Sequence, residues 1–273
     1  MLRLETETGF WLITHPDHAH LAAAFATHWG NDLFLPPSPR SNVLHGIEVH
    51  DDGWIARDAR PQVTRAGKPS AFSSDLVGKY SAFEEIDLAD YLAVRESAVQ
   101  QVEAVDPYAA LLVSMHTYNL LTARADRSTI APEHLPLLDA FLERQKQRQQ
   151  ALRKGICADP QFLPADVTDE AFLNNFRLLQ ATDNLSLLSS VDYSQPATLL
   201  HPLPAIGDTE REIRVTPIGP RQFRLDPYPF DSSSLTFPLP ARHVSGHTFA
   251  GADQLTALYQ SAPVEQLEVA VTA

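Results

Sequence analysis

Four separate stretches of the chain carry histidine or aspartate residues that could bind a metal ion together. They are "HPDHAH" around His18, "HDD" at residues 50–52, "SMH" ending at His116, and "QATDN" around Asp183. Neutral imidazole and carboxylate groups are ligands of Zn, Fe, Mn or Mg, according to their mixture. A lone His-Asp pair arises easily by chance, so the prediction of a metal site depends on these stretches meeting in the fold.

The hydrophobic spacing places each of these residues within or at the end of a helix. Pro16 and Asp17 suit the first turn of a helix predicted over residues 17–29. Ser41 is predicted to cap a second helix that ends at Gly53. Because helices hold ligands rigidly, four such helices could form a buried metal centre.

The remaining sequence predicts a mainly α protein. At least six helices are expected before residue 192, and Thr168 is the predicted N-cap of the helix that carries Asp183. Beyond residue 195, "REIRVTPIG", "QFRLDPYPF" and "SLTFPLPARHV" alternate in polarity and contain prolines that a helix interior excludes. We therefore predict a helical domain over residues 1–192 with short N-terminal strands. A small β-rich portion over residues 193–273 packs on this domain and can pair with those strands.

Residues 56–86 show little periodicity and many turn-forming residues. Loops of this length inside a domain are uncommon and often functional, so the segment is predicted to cover a cleft. Arg57 and Lys79 within it could neutralise a phosphate. The alternative is that they are solvated, as long basic side chains in loops usually are.

The order of His18, the His50-Asp51 pair, His116 and Asp183 resembles the HD-domain superfamily of all-helical, metal-dependent proteins. A closer resemblance is to an uncharacterised family known only as a domain of unknown function. It is carried by "HPDHAHLAAAFATHWG", "HDDGW", "DPYAALLVSMH" and "LLQATDNLSLLS", and it covers nearly the whole chain. The resemblance implies an HD-domain-like helical bundle whose metal ligands are His18, His50, Asp51, His116 and Asp183.

The resemblance leaves the number of ions and one ligand open. No second His pair with typical dinuclear spacing is found between Asp51 and Asp183, so one ion or two is possible, and Asp51 would bridge two. His20 points roughly 200° away from His18 around the helix. Only one of them can face the site, and the match favours His18.

Each residue also has a purely structural interpretation. His116, in the apolar run "LLVSMHTYNLL", could be a hydrogen-bonded core histidine. Asp183 lies between apolar segments and would be costly to bury without a partner. Asp52 is the candidate proton acceptor in catalysis; it could instead orient a ligating histidine or be a surface acid at a helix end.

The composition argues against several classes of partner. Lys and Arg number 21 against 34 Asp and Glu, and the net charge of -13 opposes binding to nucleic acid or an anionic membrane. No apolar run approaches the roughly 18 to 20 residues that span a bilayer. The single Cys157 cannot form an internal disulfide, and the first residues lack the pattern of a signal peptide. We therefore expect a cytoplasmic protein with a small-molecule partner.

The sequence thus predicts a metal-dependent hydrolase of a small phosphorylated molecule, in which Fe, Mn, Zn or Mg activates water. Action on phosphate esters is what the superfamily resemblance implies. The first alternative is an HD-type di-iron oxygenase, since some members of that superfamily use mixed histidine-carboxylate sites. The second is a non-catalytic ligand-binding or regulatory module that keeps the helical scaffold.

Overall fold

The protein combines a cluster of helices with a large curled β-sheet. The computed structural model describes residues 1–81, 83, 86–207 and 209–273. Helices make up 48% of the chain and strands 21%. Across these described residues, no helix has both the length and the apolar surface needed to cross a membrane.

Side-chain caps stabilise the N-termini of the three helices that carry His18, His116 and Asp183. Thr14, Asp106 and Thr168 each accept a hydrogen bond from a backbone N–H in the first turn of α1 (His15–Thr27), α5 (Pro107–Thr122) and α7 (Asp169–Ser190), respectively. Thr168 is the cap that the sequence predicts. The helices of the described residues are α1 (His15–Thr27), α2 (Arg40–Glu48), α3 (Ile55–Asp58), α4 (Leu88–Glu103), α5 (Pro107–Thr122), α6 (Leu135–Ala158), α7 (Asp169–Ser190) and α8 (Ala252–Ser261).

Seven strands form one mixed sheet, which curls into a half-barrel. Its strand order is β1-β2-β8-β9-β7-β6-β3, and all neighbours are antiparallel except β7 and β9. The strands β4 and β5 form a separate ribbon. The strands are β1 (Leu2–Glu5), β2 (Gly9–Ile13), β3 (Ala197–Thr198), β4 (Leu203–Ala205), β5 (Thr209–Arg211), β6 (Arg214–Gly219), β7 (Gln222–Asp226), β8 (Ser234–Ser245) and β9 (Val264–Thr272).

The alternation of residues along β8 gives the sheet one buried face. Phe237, Leu239 and Ala241 are buried, because residues two apart on a strand point to the same side. Phe25 of α1 meets Phe237 edge-on, with 5.0 Å between the ring centroids. The first helix therefore packs directly on the sheet.

The prediction of a mainly α protein with a small β-rich portion is wrong, and so is that of an all-α, HD-domain-like bundle. The N-terminal strands do pair with the C-terminal part, with Phe10 opposite Val244, but they join a seven-stranded sheet. Local patterns reveal single strands, whereas pairing between residues at opposite ends of the chain depends on tertiary packing. The predicted boundary at residue 192 falls between α7 and β3.

Four helices surround the site and approach one another closely. Contacts join α1 to α2 and α7, α2 to α5 and α7, and α5 to α7. A Cβ atom on Gly46 of α2 would lie only 3.2 Å from the Cα of Ala109 on α5. At such close packing, side chains as short as Asp and His from different helices can reach a common point.

The second helix ends at Glu48 rather than at the predicted Gly53. Nδ1 of His50 lies 2.7 Å from the backbone oxygen of Ile47 and must donate to it. In a continued helix that oxygen would accept from the N–H of Asp51. His50 and Asp51 therefore lie in a turn, followed by a short 3-10 helix over Asp52–Trp54.

The long segment before α4 is mostly irregular in its described part, as predicted for residues 56–86. It contains the rest of α3 and one 3-10 helix, Ser74–Leu76. Two backbone hydrogen bonds attach it to the N-terminal strand, from Arg3 to Phe72 at 2.8 Å and from Phe72 to Met1 at 3.0 Å. Residues 82, 84 and 85 of this predicted loop lie outside the described residues.

Gly53 provides a test of how the turn is packed. A Cβ at this position would lie 2.2 Å from the backbone oxygen of Val94 on α4. We expect Gly53→Ala to lower the free energy of unfolding by about 1–3 kcal/mol in urea denaturation, because the turn and α4 must separate. The matched control is Gly155→Ala in α6, where a Cβ meets nothing within 4 Å. There, alanine should raise the stability by about 0.5–1 kcal/mol. Equal effects of the two substitutions would contradict the close packing.

Candidate metal centre

The five predicted metal ligands meet in one buried cluster. His18 lies on α1, His116 on α5 and Asp183 on α7, and His50 and Asp51 lie in the turn after α2. Their exposed fractions range from 0% for His50 to 6% for Asp183. They form two overlapping groups, in each of which the potential ligand atoms lie within 4.8 Å of one another: His18, His50 and Asp51, and His50, His116 and Asp183.

Hydrogen bonds fix the orientation of the His18 ring. The hydroxyl of Ser186 donates to the backbone oxygen of Asp183 at 2.8 Å, so its own oxygen can accept from Nδ1–H of His18 at 2.9 Å. In a neutral His18 this leaves the lone pair on Nε2, which lies 3.1 Å from Oδ2 of Asp51. Two acceptors that face each other need a cation between them, either a proton or a metal ion.

His50 repeats this arrangement. Its Nδ1 donates to the backbone oxygen of Ile47, which leaves Nε2 pointing into the cluster. Nε2 lies 3.4 Å from Oδ1 of Asp183 and 3.9 Å from Oδ2 of Asp51. Within the described part of the chain it has no hydrogen-bond partner. An outer N–H held by a carbonyl and an inner nitrogen beside carboxylates are typical of metal-ligating histidines.

His116 differs from an ordinary core histidine. It is 2% exposed, and its ring centroid lies 5.1 Å from that of His50. Its Nδ1 is buried without a hydrogen-bond partner among the residues that the structure describes. An unsatisfied buried polar atom costs about 1–3 kcal/mol. This favours a ligand role over that of a hydrogen-bonded core residue.

The electrostatics of the cluster keep both carboxylates ionised and His116 neutral. Burial by itself would raise the pKa of Asp51, but Arg95 and His50 outweigh it and hold this pKa well below its usual value. The pKa of Asp183 is lowered in the same way by His50. Burial lowers the pKa of His116 to about 3. For His50, the two carboxylates outweigh burial and raise its pKa to about 9.

This donor set fits a single divalent transition-metal ion. His50 offers only Nε2, because its Nδ1 is engaged by Ile47. Because this one nitrogen of His50 belongs to both ligand groups, the two groups describe a single site. Three imidazole nitrogens and two carboxylate oxygens suit Zn, Fe or Mn better than Mg, which prefers oxygen ligands.

Arg95 on α4 is a site residue that sequence reasoning missed. Its Nη1 donates to Oδ1 of Asp51 at 2.5 Å, and its Nε donates to the hydroxyl of Tyr91 at 3.2 Å. The guanidinium carbon lies 5.3 Å from the ring centroids of both Trp54 and Tyr91. Arg95 thereby fixes one oxygen of Asp51 and turns the other towards the imidazoles. The available signal was an arginine on the apolar face of a predicted helix.

A second His-Asp pair, formed by the partly buried His15 and the buried Asp58, borders the cluster and was also missed. His15, which is three residues before His18 and so on the same side of α1, stacks on Trp54 at 4.3 Å. Its backbone N–H donates to Asp58 at 2.6 Å, and the Met1 ammonium donates to the same carboxylate at 2.8 Å. Burial lowers the pKa of His15 to about 4. For Asp58, burial alone would raise the pKa, but His15 and the ammonium lower it.

Two other residues from the sequence analysis lie around the cluster. His20 is exposed, so His18 is the histidine that faces inwards. Asp52 directly follows Asp51 and is half-buried, and burial raises its pKa. Among the described contacts, its side chain forms no hydrogen bond with the five clustered residues. A role for Asp52 in catalysis stays a prediction.

The neutral, partly buried His15 should make the fold sensitive to mild acid. As pH falls below 6.5 the unfolded chain binds a proton on this residue, whereas the folded chain does so only near pH 4. Stability is therefore lost across this window, by roughly 3 kcal/mol. We expect His15→Phe, which keeps a ring against Trp54, to make the dependence of unfolding free energy on pH less steep between 6.5 and 4, while the neutral His116 still contributes to the slope. The exposed His20→Gln is the control and should leave the slope unchanged. A slope that His15→Phe does not alter would contradict the neutral state of His15.

Comparison with known proteins places the chain in a family without assigning a function. No match was found among curated proteins, and none among solved structures. Residues 1–246 match the family described as "Protein of unknown function (DUF3891)", which covers most of the chain. The predicted membership of an uncharacterised family is thus confirmed, whereas this match lends no support to the HD-domain pattern. The chain belongs to the DUF3891 family.

Proposed function

We propose that this protein is a metal-dependent hydrolase that acts on a small phosphorylated molecule. The observation that carries the proposal is that the inner nitrogens of two histidines point at buried carboxylate oxygens, so that a proton or a metal ion must lie between them. Nε2 of His18 and Nε2 of His50 face carboxylate oxygens at 3.1 and 3.4 Å, while their Nδ1 atoms are held by outer acceptors. An ion held by three imidazoles and two carboxylates would polarise a phosphoryl oxygen and lower the pKa of a bound water.

The chain's own residues would hold the ion and orient its ligands. Ser186 fixes the ring of His18, the backbone oxygen of Ile47 fixes that of His50, and Arg95 fixes Asp51. Such outer contacts set the tautomer and direction of each ligand atom before the ion binds. The site is therefore organised without a large rearrangement of side chains.

Asp52 is the proposed proton acceptor. It is the acid next to Asp51 in the chain, and burial raises its pKa, which is the direction that favours acceptance of a proton near neutral pH. The part of Asp52 in this proposal rests on its position and its burial, since no hydrogen bond links it to the cluster in the described residues.

One ion is favoured over two. A di-iron oxygenase needs ligands for a second metal, and His50 brings one nitrogen to both ligand groups. The hydrolase is therefore the better proposal. A non-catalytic module with a structural metal would have the same ligands, and turnover distinguishes it.

We place the protein in the cytoplasm, with a small molecule as its partner. The free thiol of Cys157 is exposed, which suits a reducing compartment. The net charge of -13 disfavours nucleic acid and anionic membranes as partners.

Metal binding is the direct test of the centre. The full chain, stripped with EDTA and titrated with Zn²⁺, Mn²⁺ or anaerobic Fe²⁺, should bind one ion per chain. Asp51→Asn removes a ligand and should weaken binding by at least about 100-fold, and Arg95→Gln by about 10- to 100-fold. Elemental analysis and calorimetric titration measure both effects.

The control for metal binding is Asp231→Asn. This change removes a carboxylate from a surface His-Asp pair with 2.9 Å between His28 and Asp231, and it should leave metal affinity unchanged. Wild-type protein that binds none of the three metals would refute the metal centre.

Turnover tests the hydrolase. The metal-loaded chain should release phosphate from a panel of small phosphate monoesters, and Asp51→Asn should abolish this activity. Asp52→Asn should lower kcat by about 100-fold while metal content is kept, because a positioned proton acceptor contributes about 10²–10⁴-fold. The neighbouring, exposed Glu48→Gln should retain full activity. A metal-loaded chain without turnover across the panel would support the non-catalytic module instead.

A further inference from the structure

A cavity of about 430 Å³ lies directly beside the metal centre. Its walls come from the start of the chain, from the long segment between α3 and α4, and from α4 itself. Ligand pockets have volumes of about 300–1,000 Å³, so the space suits a small organic molecule. None of the five clustered residues lines this cavity, so the proposed metal ligands do not explain why it is there.

The charges around this cavity are locally positive, although the whole chain is acidic. Among the described lining residues, Asp58 is taken by His15, and Arg95 by Asp51. The remaining charged side chains are the cations Arg3, Arg57 and Lys79 and the acid Asp75. Arg57 makes only a loose contact with a surface acid, 3.8 Å from Asp90, and Lys79 is exposed. An anionic group is therefore favoured here.

Part of the cavity wall is aromatic. Trp54, Phe72, Phe83 and Tyr91 all line the cavity. Flat aromatic surfaces of this kind bind a planar ring through stacked or edge-on contacts. The cavity thus offers both an apolar surface and a positive one.

Two buried polar atoms in the wall have no partner among the described residues. They are Nε1 of Trp54 and the hydroxyl oxygen of Ser73, in residues that are 7% and 6% exposed. Both residues line the cavity. Native proteins satisfy nearly all buried polar groups, so two unsatisfied donors in the lining of one cavity point to a ligand with acceptor oxygens.

The cavity and the metal centre share a wall. Arg95 lines the cavity and donates to Asp51, and His15 lines it and lies with its ring centroid 6.0 Å from that of His18. A molecule in the cavity would therefore lie next to the clustered ligands.

We propose that this cavity is the substrate site and that it takes a small planar organic anion. The ring lies against the aromatic side chains, and an anionic group other than the phosphoryl group hydrolysed at the metal lies at Arg57 and Lys79, with Ser73 as a further donor. The identification of the ligand as substrate rests on the proposed function, whereas its binding does not require the metal.

Binding of phenylphosphonate, which carries a ring and an anion and is not a hydrolysable ester, tests the proposal. The full chain is titrated calorimetrically after EDTA treatment and again with Zn²⁺. We expect phenylphosphonate to bind in both states, at least 10-fold more tightly than inorganic phosphate or benzyl alcohol. Binding only in the presence of Zn²⁺ would place the anion at the metal centre and overturn the proposal.

Substitutions locate the site. Arg57→Gln combined with Lys79→Gln should weaken phenylphosphonate binding at least 10-fold, whereas Arg214→Gln combined with Lys154→Gln, two exposed cations outside the cavity, should not. Ser73→Ala should weaken binding several-fold with no loss of thermal stability, because the hydroxyl has no partner within the described chain. Equal affinities in the two double variants would overturn the cavity assignment and leave the metal measurements unaffected.

Discussion

Two buried carboxylates in one cluster are the constraint on which the site depends. Asp51 and Asp183 are both ionised and nearly inaccessible to water, and the only guanidinium among the described residues that bonds to either of them is that of Arg95. One negative charge is left, and burying it without a partner would be very costly. A proton on His50 can balance it, in agreement with a pKa raised to about 9. A divalent ion among neutral imidazoles would instead leave one positive charge, which suits an anionic substrate.

The fold meets this constraint through close packing of short side chains. Gly46 lets α2 approach Ala109 of α5, and Gly53 lets the turn after α2 lie against α4. The turn itself exists because His50 takes the backbone oxygen of Ile47 and so stops the helix. The same hydrogen bond therefore ends a secondary-structure element and fixes the tautomer of a proposed ligand. Structure and proposed chemistry depend on one contact here.

Features that depend on neighbouring residues in the chain could be predicted from the sequence, whereas features that depend on contacts between distant residues could not. His18, His50, Asp51, His116 and Asp183 could be selected because their residue types and their order along the chain resemble a known pattern, which is readable without the fold. Arg95 was missed because its role depends on Asp51, which is distant in sequence and touches it only across the packed turn and α4.

The sheet was underestimated for the same reason. Each strand could be recognised from its alternation, but pairing of β2 with β8 unites opposite ends of the chain.

Arg95, His15 and Trp54 lie in the wall between the cavity and the clustered ligands. Because Arg95 already neutralises Asp51, it cannot also serve as the main cation for the proposed substrate, and that role would fall to Arg57 and Lys79. The clustered ligands are buried, so a substrate in the cavity reaches them only where this wall yields. The stacked rings of His15 and Trp54 lie in this wall, where Asp58 holds His15 and the guanidinium of Arg95 packs on Trp54, so the contacts that position the ligands also shape the cavity.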